Sequence, residues 1–146
     1  LGITVYLFNH SAEEQWDKGE LTRLTSVTDD DGEHRKVVLA LEDGVLRGQY
    51  NGIEREFAAG MIPASFWHPD TVTQTVLLDQ VKGRTRNIQV VDKGVEQITV
   101  KGRKIDARHY SMTGQIKREL WYGPDGQLDL LRFPGKDGSE ITMKLR

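Results

Sequence analysis

The chain has 146 residues, 37% hydrophobic and 29% charged, with a formal net charge of -2 and no cysteine. That length fits one domain, 1–146, long enough to bury a core without disulfides or metals. The balanced charge argues against a polyanion-binding surface and so against nucleic acid as a partner; the missing thiols exclude disulfides, thiolate metal sites and cysteine nucleophiles; and no apolar run is long enough to span a membrane.

In chain order, Leu1 to Phe8 reads as a strand with apolar residues on both faces. A strand that begins at Leu1, with no Met before it, implies further sequence upstream, which leaves room for a signal peptide. Glu13 to Asp17 carries the strand to a turn at Lys18-Gly19; Leu21 to Thr28 follows, then the acidic turn Asp29-Asp30-Asp31-Gly32. Val37, Leu39 and Leu41 alternate up to Asp43-Gly44. Val45 to Tyr50 and Ile53 to Phe57 flank Asn51-Gly52, a dipeptide suited to the φ > 0 positions of a tight hairpin.

The rhythm breaks at Gly60 to Pro69, where two prolines bar a ladder strand. Ser65 is placed to cap a short helical turn over Phe66, Trp67 and His68, and Pro69 ends it. Asp70 or Thr71 opens a second turn, and Thr75 to Val81 returns to β character. Ile88 and Val90 are expected to pair with the next run through a turn at Asp92-Lys93-Gly94. Ile98 and Val100 lead to Lys101-Gly102, and Ile105 to Met112 pairs with Gln115 to Tyr122 across Thr113-Gly114. Pro124-Asp125-Gly126 has the residues of a type I turn. Leu128 to Phe133 precedes Asp137-Gly138, and Ile141, Met143 and Leu145 close the chain with one dry face. This spacing predicts an all-β antiparallel meander of about ten strands. A sheet of that size curls or closes, which gives a barrel or half-barrel with an irregular crossover near residues 60–74.

Two groups of residues bear on chemistry. Phe66, Trp67 and His68 lie on the Pro-bounded connection, either as an apolar plug or as a lid over a ligand in the barrel mouth. Counted outward from Thr113-Gly114, Tyr110, Met112, Ile116, Leu120 and Tyr122 share one face, and His109, Glu119 and Trp121 the other. A His-Glu pair suits acid–base chemistry and equally suits a cross-strand polar pair. His10, His34, His68 and His109 lack chelating spacing, so neither metal nor cofactor is expected. No serine has a nucleophile-elbow context and no glycine cluster makes a phosphate loop. Asp29-Asp30-Asp31-Gly32 lacks a calcium loop's glutamate, since Ala40 stands at the twelfth position.

Pro63-Ala64-Ser65-Phe66-Trp67, Gly102, Ala107-Arg108-His109-Tyr110, Gly114, Leu120-Trp121-Tyr122 and Asp125-Gly126 together resemble a bacterial secreted-domain family of unknown function. Leu1 to Tyr6, Glu14, Trp16 and Thr28-Asp29-Asp30 extend the likeness over nearly the whole chain. More distantly, the pattern is similar to the half-barrels of periplasmic lipoprotein carriers. The resemblance implies export to the periplasm and a concavity facing a hydrophobic ligand or a cell-envelope partner. It brings no catalytic residues, and the chain departs from the pattern at His68. The expected ligand contacts are Phe66, Trp67, His68, Tyr110 and Tyr122, with Leu39, Leu41, Ile88, Val90, Leu120 and Met143 lining the concavity. Two rival functions are an enzyme on a glycan or small substrate using His109, Glu119 or His68, and an assembly module that works by strand addition.

Overall fold

The computed structural model describes residues 2–7, 9–30, 32–135 and 139–144. Parts of the Asp31-Gly32 and Asp137-Gly138 turns, and the side chain of Met143, lie outside the described residues. Twelve strands are described: β1 (Gly2–Leu7), β2 (His10–Asp17), β3 (Glu20–Asp30), β4 (Glu33–Glu42), β5 (Val45–Tyr50), β6 (Ile53–Ala58), β7 (Val76–Asp79), β8 (Arg84–Val100), β9 (Arg103–Gly114), β10 (Arg118–Tyr122), β11 (Leu128–Pro134) and β12 (Glu140–Lys144). They form two antiparallel meanders, ordered β1-β2-β3-β4-β5-β6 and β12-β11-β10-β9-β8-β7. One sheet curls into a half-barrel. The sheet does not run on unbroken, because the Pro-bounded connection between β6 and β7 cannot supply a ladder strand.

The chain divides into two compact units, residues 1–65 with 78–85, and residues 66–77 with 86–146. In the first unit the hairpins are set by Lys18-Gly19, Asp43-Gly44 and Asn51-Gly52, in which both residues have φ between 47° and 81°. That pairing of positive φ defines the type I′ turn, whose twist matches the flanking strands. Asn51 fixes its own turn by accepting from the Lys36 N–H at 2.7 Å and donating to the His34 carbonyl at 3.2 Å.

Alternation then places Ala12, Leu21, Leu24, Val37, Leu39 and Leu46 in one buried cluster with Leu78. Leu24 lies opposite Leu39, and Leu39 opposite Gly48. A Cβ at Gly48 would come within 1.8 Å of the Val38 carbonyl oxygen, so only glycine lets β4 and β5 close at that point. Leu78 is held by backbone bonds, donating to Ile62 at 2.9 Å and accepting from Ala64 at 2.8 Å. Ser26 donates to the Gln80 carbonyl, and the Gln80 amide donates to Ala64 at 3.1 Å.

In the second unit, Val100, Ile105, Ala107, Trp121 and Leu130 form a buried cluster. By the pairing of Leu120 with Tyr110 and with Leu131, Met112, Leu120 and Leu131 bury on the opposite face.

The structure corrects two local expectations. No turn forms at Asp92-Lys93-Gly94: β8 runs unbroken for 17 residues and absorbs the extra residue as a bulge. The Asp92 carboxylate accepts from the Gly94 N–H at 2.8 Å, and Gly94 takes φ 89°. No helical turn forms over Phe66 to His68 either; the helical element is a 3₁₀ turn at Pro69–Thr73 capped by the His68 side chain. Leu39 and Leu41 pack in the first unit's cluster, while Ile88, Leu120 and Tyr122 are buried in the second unit.

Candidate functional site

A cleft in the second unit, about 490 Å³ and open to solvent, is lined by residues from β8, β9, β10, the 3₁₀ turn and the turn after β10. Antiparallel register explains how they meet. Tyr122 lies opposite Arg108, and Arg108 opposite Val95. Alternation along β9 then puts Asp106, Arg108 and Tyr110 on that same face. All five of these side chains line the cleft.

Tyr110 and Tyr122 meet edge to face, with centroids 6.0 Å apart and planes at 73°. Such a pair adds about 0.5–1.5 kcal/mol beyond the area it buries. Pro69 and Val72 of the 3₁₀ turn and Gly123, Pro124 and Gly126 complete the wall. The turn after β10 closes as expected from its residues, Gly126 donating to the Gly123 carbonyl at 2.9 Å. Arg108 donates to Asp92 at 2.9 Å. The Gly94 N–H, with Arg108 as a smaller contributor, holds the Asp92 carboxyl below its usual range.

Behind the cleft, Tyr122 is anchored by its hydroxyl, which donates to the Phe66 carbonyl at 2.7 Å. Burial raises the phenol well above its ordinary range, with the Thr71 hydroxyl opposing in part. Phe66 itself is 4% exposed and sits at φ 65°. Left-handed backbone is costly for a bulky residue and persists only when its surroundings over-determine it. Here the Tyr122 hydrogen bond and the Arg118 guanidinium, 5.4 Å from the ring centroid, do so. Arg118 also lies 4.6 Å over Phe133, and burial lowers its pKa.

The five expected ligand contacts therefore separate. Tyr110 and Tyr122 face the cleft. Phe66 is a buried plug that supports Tyr122 from behind. Trp67 and His68 do not line the cleft; their rings lie 5.2 Å apart, and the His68 Nδ1 accepts from the Asp70 N–H at 3.0 Å. His68 caps the turn that carries Pro69 and Val72. Asp106, Arg108, Val95, Pro69, Val72 and Pro124 line the cleft although the sequence reading did not select them. The available signal was the period-2 row Asp106, Arg108, Tyr110, which reads on its own as an ordinary wet strand face.

The other face of β9 and β10 carries a polar ladder. His109 stacks on Trp121 with centroids 4.3 Å apart and planes at 11°. Its Nε2 meets Glu119 at 2.8 Å and its Nδ1 meets Glu96 at 3.5 Å. Ser111 donates to Glu119 at 2.8 Å, Trp121 donates to Glu96, and Arg132 lies 5.1 Å over the Trp121 ring. The serine hydroxyl thus bonds the Glu119 carboxylate and not the imidazole. Among the described residues no three His, Asp or Glu side chains form a metal-holding group.

Fold and cleft define an all-β domain built from meandering antiparallel sheets with an aromatic-walled surface cleft. The chain belongs to the family described as a domain of unknown function (DUF6134), which it matches over residues 1–146. No curated protein and no solved structure matches it. Among the described residues no helix is long and apolar enough to cross a membrane.

Proposed function

We propose that this domain is a non-catalytic binding module whose ligand, an amphipathic component of the bacterial cell envelope, seats its apolar side in the Tyr110–Tyr122 cleft. The observation that carries this reading is the cleft itself. Its volume of about 490 Å³ falls in the range of small-ligand sites, roughly 300–1,000 Å³. Its walls combine two tyrosines, two prolines and two valines with a few polar groups, the composition such sites share. Placement at the envelope, in the periplasm, draws on the resemblance to secreted domains.

The rival enzymatic reading has weaker support. Both ring nitrogens of His109 already face carboxylates, and its ring is stacked on Trp121. A general base needs a free nitrogen aimed at substrate.

Titration with the neutral apolar fluorophore N-phenyl-1-naphthylamine tests the binding reading. Saturable binding is expected, weakened about tenfold, or about 1.4 kcal/mol, by Tyr110→Ala. Tyr110 is half-buried, so the variant is expected to stay folded. Absence of binding, or binding indifferent to Tyr110, overturns the assignment.

A further inference from the structure

We propose, resting on the binding reading above, that the ligand of this cleft is a carbohydrate, held as a neutral hydroxylated ring. Asp106, Arg108 and Tyr110 present a carboxylate, a guanidinium and a phenol from one strand face, at backbone positions about 6.6 Å apart. Among the described residues the Asp106 carboxylate has no hydrogen-bond or ion-pair partner. Arg108 commits one nitrogen to Asp92. A guanidinium has five N–H donors, so the rest of its fork remains available. Tyr110 supplies a hydroxyl that both donates and accepts. The apolar part of the same lining is the exposed rings of Pro69 and Pro124 with Tyr122, which is itself 6% exposed.

That pairing of an acceptor, a donor fork and an apolar wall matches the two surfaces of a sugar ring, its hydroxyl edge and its C–H face. Other ligands fit less well. An acyl chain in an open cleft leaves much of its apolar surface in water and strips hydration from Asp106 without replacing it. An anion meets the Asp106 carboxylate, and a cation meets Arg108.

The experiment is an amide NMR titration of the intact chain with cellotetraose, maltotetraose and chitotetraose, each to about 10 mM so that a millimolar Kd saturates. With at least one of them, saturable shifts are expected at Val95, Asp106 to Tyr110 and Tyr122 to Gly126. Asp106→Asn is expected to raise that Kd about tenfold, the effect of losing a hydrogen bond to a charged group. Asp106 is exposed, so this variant keeps the fold. Arg108→Lys, which keeps the charge and loses the fork, is expected to weaken binding similarly. N-phenyl-1-naphthylamine binding with no response to any of the three sugars overturns the carbohydrate proposal and leaves the binding reading standing. Failure of both overturns both. Sugar-induced shifts that avoid these residues also overturn the proposal. Where a free tetrasaccharide binds, sedimentation with phosphatidylglycerol vesicles, with and without glucosyl-diacylglycerol, separates a lipid-borne headgroup from a free glycan as the source.

Discussion

Tyr122 does two jobs with one side chain: its ring forms a wall of the cleft and its hydroxyl holds Phe66 in left-handed backbone. Tyr122→Phe keeps the wall and leaves the buried Phe66 carbonyl unpaired. Loss of about 1–3 kcal/mol in urea unfolding is expected, with ligand affinity little changed. Equal losses of both would argue against this division of roles. His10 offers a second test. Its Nδ1 meets the Thr28 hydroxyl at 2.6 Å, and its Nε2 is buried with no hydrogen-bond partner. Burial lowers its pKa below 6.5, with Asp79 opposing in part. The unfolded chain therefore takes up the proton first. The stabilising contribution is complete above pH 6.5 and declines as pH falls from there through the folded-state value. The melting temperature is expected to drop on acidification in that window more steeply for the native chain than for His10→Gln. Parallel profiles would remove His10 as the cause.

At the level of elements, the meander was legible because glycine-containing turns recur at hairpin spacing and strands alternate between them. The limits of that reading are instructive at two identical dipeptides. Lys101-Gly102 takes positive φ at both residues, 52° and 78°, and turns the chain. At Lys93-Gly94 only Gly94 has positive φ, and β8 continues past it. What separates the two is a partner: β9 pairs with β8 on both sides of the bulge, from Ile88 to Val100. Long-range pairing of this kind leaves no local mark.

The cleft was half legible for a related reason. Tyr110 and Tyr122 stood out as large aromatics sharing a face. Asp106 and Arg108 resembled any solvated positions, and the left-handed Phe66 had no glycine or asparagine to announce it. The same packing logic makes Gly48 a sharp test of the first sheet. Gly48→Ala forces its Cβ onto the Val38 carbonyl, so destabilisation of about 3 kcal/mol or more is expected by thermal or chemical denaturation. A near-neutral result would mean that β4 and β5 are not paired with Leu39 opposite Gly48.

Across the whole chain, the two units are not consecutive in sequence. Residues 78–85 belong with 1–65, and residues 66–77 with 86–146. Leu78 is fully buried in the first unit's cluster. Truncation of a buried leucine to alanine typically costs about 2–5 kcal/mol. A fragment ending at residue 65 loses Leu78 altogether, together with the Gln80 bonds to Ser26 and Ala64. It is expected to show reduced dispersion in amide spectra and faster proteolysis than a fragment ending at residue 85. Equal protection of the two would show that the returning segment contributes nothing to this unit.

This threading also sets a timetable during synthesis. Six strands of the first sheet have left the ribosome once residue 58 has emerged, and each can zip onto its predecessor as a local hairpin. The leucine that completes their core is still 20 residues from the end of that strand. At translation rates of about 5–20 residues per second, the nascent sheet waits roughly one to four seconds with its apolar face incomplete. Over that interval the growing chain has reason to meet a chaperone.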